Sequence, residues 1–256
     1  MRSLYREKYF KCGDYLEVSL YPVYKISGTR RKKAKATSEC QKKVNQKQAE
    51  MKIIRKANAN FTKDDYRLDL TYRDGMNPVD DEEAAKHLRN FLRRVKTFRK
   101  RNNLSELKYI SVTEKGSRKK RYHHHLIISG GINPSELATI WGRGIVGCDP
   151  LQFDQNGIAN LVMYMGKKPV ASSKRWNVSK NLIDPPAHQR DGRISKHDVL
   201  EISRDTTDNR FIEKFFDGYY LGQAEKVYND VNGGTYLYLR FYRKDAEFCR
   251  KKKMNR

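Results

Sequence analysis

Two strand-like segments joined by a basic loop constrain the fold of this chain more than any other feature of its sequence. Residues 109–113 and 122–128 are rich in β-branched, aromatic and aliphatic residues, and the connection 115–121 is polar and basic. This pattern is typical of two antiparallel strands joined by a long turn. The sequence therefore predicts a β-hairpin with a basic connection.

The second strand of this hairpin contains three consecutive histidines, His123, His124 and His125. Because side chains alternate across a strand, His123 and His125 share one face, and His124 lies on the other with the apolar residues that follow. A register that pairs Glu114 with His123 brings the Glu114 carboxylate to the same face. We predict that Glu114, His123 and His125 bind one metal ion. Taken alone, the pattern also fits a fortuitous run of histidines beside a surface carboxylate.

Two imidazoles and a carboxylate leave coordination positions open for water and phosphate oxygens. Such a mixed nitrogen and oxygen site accepts Mn²⁺ or Mg²⁺, and Mn²⁺ is the better match to imidazole. The expected role of the ion is Lewis-acid catalysis, because it would polarise a scissile phosphate and offset the charge that develops in the transition state.

A candidate nucleophile, Tyr164, lies about 40 residues after the histidines, with Lys167 three positions further on. On a helix this spacing places the phenol and the ammonium side by side. A phenol has a reference pKa near ~10, so a nearby cation is needed to favour the phenolate. Lys168 is a less favoured substitute for Lys167. Among 16 tyrosines such a spacing also arises by chance, and an ordinary packed tyrosine fits it equally.

A large excess of basic residues predicts a polyanionic partner. Lysine and arginine number 54 against 30 acidic residues, for a formal charge of +24. Binding of such a chain to nucleic acid releases counterions and weakens steeply with salt. Trp141 or Trp176 would stack on bases. The basic residues expected to hold DNA phosphates are Arg118, Lys119, Lys120, Arg121, Arg143, Lys168, Lys174 and Arg175.

The rest of the chain alternates between strand and helix patterns, which indicates an α+β fold. Asp80 and Glu83 form an expected capping pair at the start of one helix. The predicted elements are an edge strand over 11–24, helices over 38–57, 80–101, 135–141 and 157–168, and further strands over 67–72 and 235–242.

The four cysteines lie far apart and form no CxxC pair, which argues against a zinc ribbon or a disulfide framework. The sequence has neither a signal peptide nor an apolar run of the ~20 residues that span a bilayer. We therefore expect reduced thiols, no membrane association and a bacterial cytoplasmic location.

The order of these motifs resembles the replication initiators of the HUH endonuclease superfamily. Asn60 and Phe61 before the strand 68–72 resemble the first motif of that family, His123 to His125 its HUH motif, and Tyr164 to Lys167 its tyrosine motif. The middle position of the HUH motif is usually a bulky apolar residue, and here it is His124. Because Tyr164 has no second tyrosine one helical turn away, the chain resembles the single-tyrosine members found in bacterial plasmids and phages.

The resemblance implies an α+β fold with a central antiparallel sheet of about five strands, flanked by helices. It implies an HUH core over 59–170, a basic N-terminal extension over 1–58 that packs on it, and a DNA-binding or accessory extension over 171–256. It also implies that Tyr164 attacks single-stranded DNA at a replication origin to start rolling-circle replication. The expected partners are single-stranded DNA or an origin hairpin, a host helicase and a host DNA polymerase. A GxxxxGK[ST] phosphate-binding loop is absent from the sequence.

Two alternatives remain open from the sequence. A transposase or conjugative relaxase would use the same metal and tyrosine for strand transfer. A noncatalytic basic protein that coats nucleic acid would carry the same charge, with the histidines as a fortuitous patch.

Overall fold

The computed structural model describes residues 4–23, 39–116, 121–167, 170, 175–229 and 234–246, without the side chains of 39–45 and 229. The strands in these ranges are β1 (Leu4–Cys12), β2 (Tyr15–Val23), β3 (Tyr66–Leu70), β4 (Tyr109–Lys115), β5 (Tyr122–Ile128), β6 (Val146–Pro150), β7 (Asn177–Val178), β8 (His188–Asp191), β9 (Tyr219–Asn229) and β10 (Gly234–Arg243). The helices are α1 (Glu39–Asn60), α2 (Asp81–Arg101), α3 (Pro134–Trp141), α4 (Ala159–Met165), α5 (Lys196–Arg204) and α6 (Asn209–Glu213).

The chain divides into two units, each built on its own five-stranded antiparallel sheet. The central unit comprises Asn60–Gln152 and Ile158–Ile183. The terminal unit comprises Met1–Ala59, Phe153–Gly157 and Asp184–Arg256.

In the central unit the strands follow the order β6-β3-β5-β4-β7. One face of this sheet packs against α2 and α3 in an apolar core that includes Leu68, Leu126, Phe91 and Trp141. The predicted α+β class, with a five-stranded antiparallel sheet flanked by helices, is therefore confirmed. The other face of β3, β4 and β5 carries the polar residues of the candidate site.

Helix α2 begins as the sequence predicts. The side chain of Asp80 accepts a hydrogen bond of 2.8 Å from the Glu83 backbone N–H, and the Glu83 carboxylate accepts one of 2.9 Å from the Val79 N–H. These bonds satisfy donors that a helix N-terminus leaves without partners. The helix ends within a residue of the predicted bound.

The N-terminal strand prediction was wrong in two respects. The segment predicted as one edge strand over 11–24 contains the second half of a hairpin, because Gly13 adopts a positive φ of 61° and reverses the chain between Cys12 and Tyr15. Strand β2 then lies in the interior of the sheet β8-β1-β2-β10-β9 rather than at its edge. The predicted turn at Gly233 and Gly234 falls partly outside the described residues.

The N- and C-terminal segments, which we predicted as separate extensions, contribute strands to the same sheet. Strand β10 pairs with β2 from Tyr15 to Leu20, and β8 pairs with β1. The apolar face of this sheet, which includes Val18, Leu239 and Phe241, packs against α5 and α6. Local periodicity could not reveal this arrangement, because the paired strands are separated by about 200 residues.

Helix α4 is shorter than predicted, and it ends at Met165 rather than at 168. The next residue, Gly166, takes the C-cap position, and its N–H contacts the carbonyls of Val162 and Tyr164. Lys168 and Pro169, at the predicted end of the helix, lie outside the described residues. Within the described ranges, no helix is both long and apolar enough to cross a bilayer.

Candidate functional site

The hairpin of β4 and β5 has the register that the sequence predicts. Glu114 is paired with His123, Thr113 with His124, and Val112 with His125. Because paired residues point to the same side of a sheet, the Glu114 and His123 side chains share a face. His125 lies two residues further along the strand, so it shares that face too.

The His125 imidazole lies between two carboxylates from neighbouring strands. Its Nδ1 lies 2.6 Å from Oδ1 of Asp69 on β3, and its Nε2 lies 3.5 Å from Oε2 of Glu114 on β4. An ionised carboxylate only accepts hydrogen bonds, so Nδ1 carries the proton and Nε2 presents its lone pair. Burial alone would raise the pKa of Asp69, but its hydrogen bonds with His125 and Arg67 outweigh burial and lower it. A charged Asp69 thus fixes the ring of His125.

The His123 imidazole lies near the end of β4. A Cβ atom on Gly116 would lie 3.9 Å from its Nε2. Burial lowers the pKa of His123, and nearby His125 lowers it further, so the ring is held neutral and able to bind a metal. Within the described ranges, no three His, Cys, Asp or Glu side chains are already arranged around a metal position. The donor types fit Mn²⁺ or Mg²⁺ and share one face, so coordination requires rotation of side chains on a strand pair already in register.

His124 faces the opposite side of the sheet, as predicted, and is completely buried. Its Nε2 lies 2.7 Å from the Tyr72 hydroxyl, and its Nδ1 lies 2.9 Å from the Thr113 hydroxyl. A neutral imidazole has one donor and one acceptor, and the two hydroxyls satisfy both. Burial lowers the pKa of His124 to about 3. His124 therefore occupies an apolar core position as a neutral, fully hydrogen-bonded ring.

Helix α4 places Tyr164 beside the hairpin. The phenol ring makes an edge contact with the ring of His125, with 6.3 Å between the centroids. The residue is 54 % exposed, which leaves the phenol accessible to a large substrate. The Lys167 Nζ lies 5.7 Å from the centre of the Tyr164 ring. The tyrosine, the lysine and the histidine face, predicted from separate motifs, thus lie together.

Three of the eight predicted DNA-binding residues lie in described parts of the chain. Arg121 directly precedes β5 and forms an ion pair with Asp74. Arg143 follows α3, and its backbone carbonyl accepts a hydrogen bond from Arg73. Arg175 donates to the backbone carbonyl of Gly166. The other five, Arg118, Lys119, Lys120, Lys168 and Lys174, lie outside the described residues.

The prediction that Trp141 stacks on bases is wrong. Its ring is completely buried between Phe91 and Tyr72, and its Nε1 donates a hydrogen bond of 2.8 Å to the Thr71 carbonyl. A side chain inside the core cannot reach a nucleic-acid base.

The sequence analysis missed the residues that hold the site in place. Asp69 lies on the polar side of the alternating strand 67–72, but nothing in that pattern says that β3 pairs with β5. Tyr72 and Thr113 were missed for the same reason. An unusual polar residue at the buried middle position of the histidine run was the one available signal, because a buried imidazole needs partners.

Comparison with known proteins identifies the central unit. A family model for the replication-associated protein ORF2 matches residues 65–169, about two fifths of the chain. No curated protein and no solved structure shows a significant match. The matched range runs from β3 past α4 and so contains Asp69, the histidines, Glu114 and Tyr164. Residues 65–169 therefore form a domain of the replication-associated protein ORF2 family, consistent with a rolling-circle replication initiator.

Proposed function

We propose that this chain is a single-tyrosine endonuclease that nicks and rejoins single-stranded DNA at a replication origin, and so initiates and terminates rolling-circle replication. The observation that carries the proposal is the contact between Tyr164 and His125, which places an accessible phenol beside a face of imidazoles and carboxylates. The family match supports a role in replication. Within α4, Tyr164 is the one tyrosine, which supports the single-tyrosine type.

In the proposed reaction the Tyr164 oxygen attacks a phosphodiester. A bond forms between that oxygen and phosphorus, the bond from phosphorus to the 3′ oxygen breaks, and a 5′-phosphotyrosine and a free 3′-hydroxyl result. The phenol proton must leave, and the Lys167 ammonium near the ring stabilises the phenolate. Because the phosphodiester energy is kept in the tyrosine link, a DNA hydroxyl can later attack the link and reseal the strand.

Glu114, His123 and His125 would hold the divalent ion, Mn²⁺ or Mg²⁺. The bound ion would supply Lewis-acid stabilisation to the phosphate. Asp69 would act behind these ligands, because its carboxylate holds the proton on Nδ1 of His125 and leaves Nε2 for the metal.

The proposed partners are single-stranded DNA or an origin hairpin, a host helicase and a host polymerase. Arg121 and Arg143 lie at the end of the sheet where His123 begins the histidine run, so they are placed to contact phosphates of a strand that enters the site. With no GxxxxGK[ST] loop in the sequence, unwinding is assigned to the helicase.

A cleavage assay tests the proposal. Purified protein, Mn²⁺ and an origin oligonucleotide should give a nick and a covalent protein–DNA adduct, and Tyr164→Phe should remove both. Tyr228→Phe is a matched control, because Tyr228 is similarly exposed and lies in the terminal unit. Unchanged nicking in Tyr164→Phe would overturn the enzyme proposal and favour a noncatalytic nucleic-acid-binding protein. Strand joining to a second DNA without repeated priming would favour a transposase or relaxase.

A further inference from the structure

The glycine that ends the tyrosine helix is pressed against an indole ring. A Cβ atom on Gly166 would lie 2.6 Å from Cζ2 and 3.0 Å from Cε2 of Trp176. Carbon atoms that are not bonded normally stay about 3.5 Å or more apart, so even a methyl group would force one of the two residues to move. Only glycine lets the end of α4 and the indole lie this close.

Arg175 completes this contact from the other side. Its Nε donates a hydrogen bond of 2.8 Å to the Gly166 carbonyl, and its guanidinium stacks on Trp176 at 4.4 Å from the ring. The carbonyls at a helix C-terminus lack partners within the helix and carry partial negative charge. A cation that donates to one of them therefore stabilises the end of the helix.

Helix α4 needs such support. It has seven residues, and its N-cap, Ile158, makes no side-chain capping bond. Helices this short are marginal in water without tertiary contacts. Tyr164 is more than half exposed, so the nucleophile does little to anchor the helix that carries it.

The residues that hold Gly166 are themselves fixed to β4. Directly after Trp176, Asn177 in strand β7 pairs with Ser111. On the near side, the Val170 N–H donates a hydrogen bond of 3.1 Å to the Thr113 carbonyl. Strand β4 also carries Glu114, so one strand sets the position of both a candidate metal ligand and the end of the tyrosine helix.

We propose that Trp176 and Arg175 are positioning residues that clamp Gly166 and so fix Tyr164 relative to the histidine face. The clamp rests on the proposed function of Tyr164, but its mechanical part is independent of catalysis. The indole Nε1 is buried and has no hydrogen-bond partner among the described residues. The ring surface, rather than the N–H, therefore makes the clamp, and phenylalanine should largely replace tryptophan.

Hydrogen exchange of the metal-free, DNA-free chain tests the mechanical part. In Trp176→Val and in Gly166→Ala, amides of the peptide that covers α4 should exchange at least about tenfold faster, because a short helix that loses its tertiary contacts opens more often. Peptides from α2 and β5 should exchange as in the parent protein, which shows that the unit is folded. Trp176→Phe should restore protection of α4. Unchanged exchange of α4 in both Trp176→Val and Gly166→Ala would overturn the clamp.

Single-turnover kinetics with saturating DNA and Mn²⁺ test its effect on the nucleophile. Each of Gly166→Ala and Trp176→Val should slow adduct formation by about tenfold or more, because small displacements of a reacting group are costly, with DNA affinity unchanged. The double variant should lose less than the product of the two single losses, since the smaller valine leaves room for the methyl group introduced by Gly166→Ala. Multiplicative losses would contradict the clamp, as would weaker DNA binding with α4 protection unchanged, which indicates base stacking by Trp176. Failure of the parent protein to form any adduct would overturn the proposed function, and the exchange experiment would still decide whether the clamp exists.

Discussion

The Asp69 carboxylate accepts a hydrogen bond of 2.6 Å from Nδ1 of His125, and the opposite nitrogen of the same ring faces Glu114. The bond joins adjacent strands, because Asp69 and His125 are direct partners in the pairing of β3 with β5. A histidine held in this way has one tautomer and one orientation. The relationship explains why the RLDLTY strand has an acidic residue on its polar face.

Removal of the Asp69 carboxylate should disturb the tautomer of His125 and weaken metal binding. In Asp69→Ala, ¹⁵N NMR of the metal-free protein should show that His125 no longer holds its proton on Nδ1 alone. Mn²⁺ affinity measured by calorimetry should fall by roughly 10- to 100-fold, the usual effect of losing such a partner. Asp149→Asn is the control, because Asp149 lies on the neighbouring strand β6 and is exposed. An unchanged tautomer together with unchanged affinity would show that Asp69 does not orient the ring.

Removal of the candidate ligands should separate cleavage from DNA binding. Glu114→Ala, or the pair His123→Ala and His125→Ala, should abolish nicking, because the metal would lose its ligands. Binding to single-stranded DNA should largely survive and weaken with salt, since it depends on phosphate contacts by the basic residues. Fluorescence anisotropy at several salt concentrations measures the binding, and circular dichroism checks the fold. Normal nicking by folded Glu114→Ala would remove this residue from the ligand set.

Acidification should destabilise the central unit through His124. The pKa of His124 falls from 6.5 for an ordinary histidine to about 3 because the ring is buried. Between these values the unfolded chain binds a proton that the folded chain does not. The stabilisation is therefore fully present above pH 6.5 and is lost as the pH falls toward 3. This group alone should lower the free energy of unfolding by about 2 kcal/mol between about pH 7 and about pH 5.

Denaturant unfolding of the metal-free protein, in the presence of a chelator, measures this effect. His124→Leu removes the titrating ring and should flatten the loss over the same pH range by that amount, even though the variant is less stable at neutral pH. An equal pH dependence in the two proteins would mean that His124 is protonated in the folded state.

The sequence predicts the parts of the fold that depend on local pattern. Alternation predicted β5 and the separate faces of His123 and His124, and the hairpin predicted the pairing of Glu114 with His123. Apolar spacing and capping residues predicted α2 and α3 to within a residue or so. These features depend on interactions between residues close in the chain, where periodicity and turn geometry decide the structure.

Contacts between distant segments were not predictable in this way. Arg99 illustrates the difficulty, because it belongs to the basic pattern of α2 but is buried and donates to the carbonyls of Ser105 and Gly130. Arg175, predicted to bind phosphate, similarly donates to the Gly166 carbonyl. A positive charge in a sequence does not say whether it faces solvent, DNA or a backbone carbonyl, because that depends on which segments meet.

The most direct test of the account identifies the amino acid that becomes joined to DNA. An origin oligonucleotide is incubated with the protein and Mn²⁺, the adduct is digested with protease and nuclease, and the modified peptide is sequenced by mass spectrometry. We predict that the peptide containing ANLVMYM carries the 5′-phosphate on Tyr164. Attachment at another residue, or strand cleavage with no covalent link to the protein, would contradict the account.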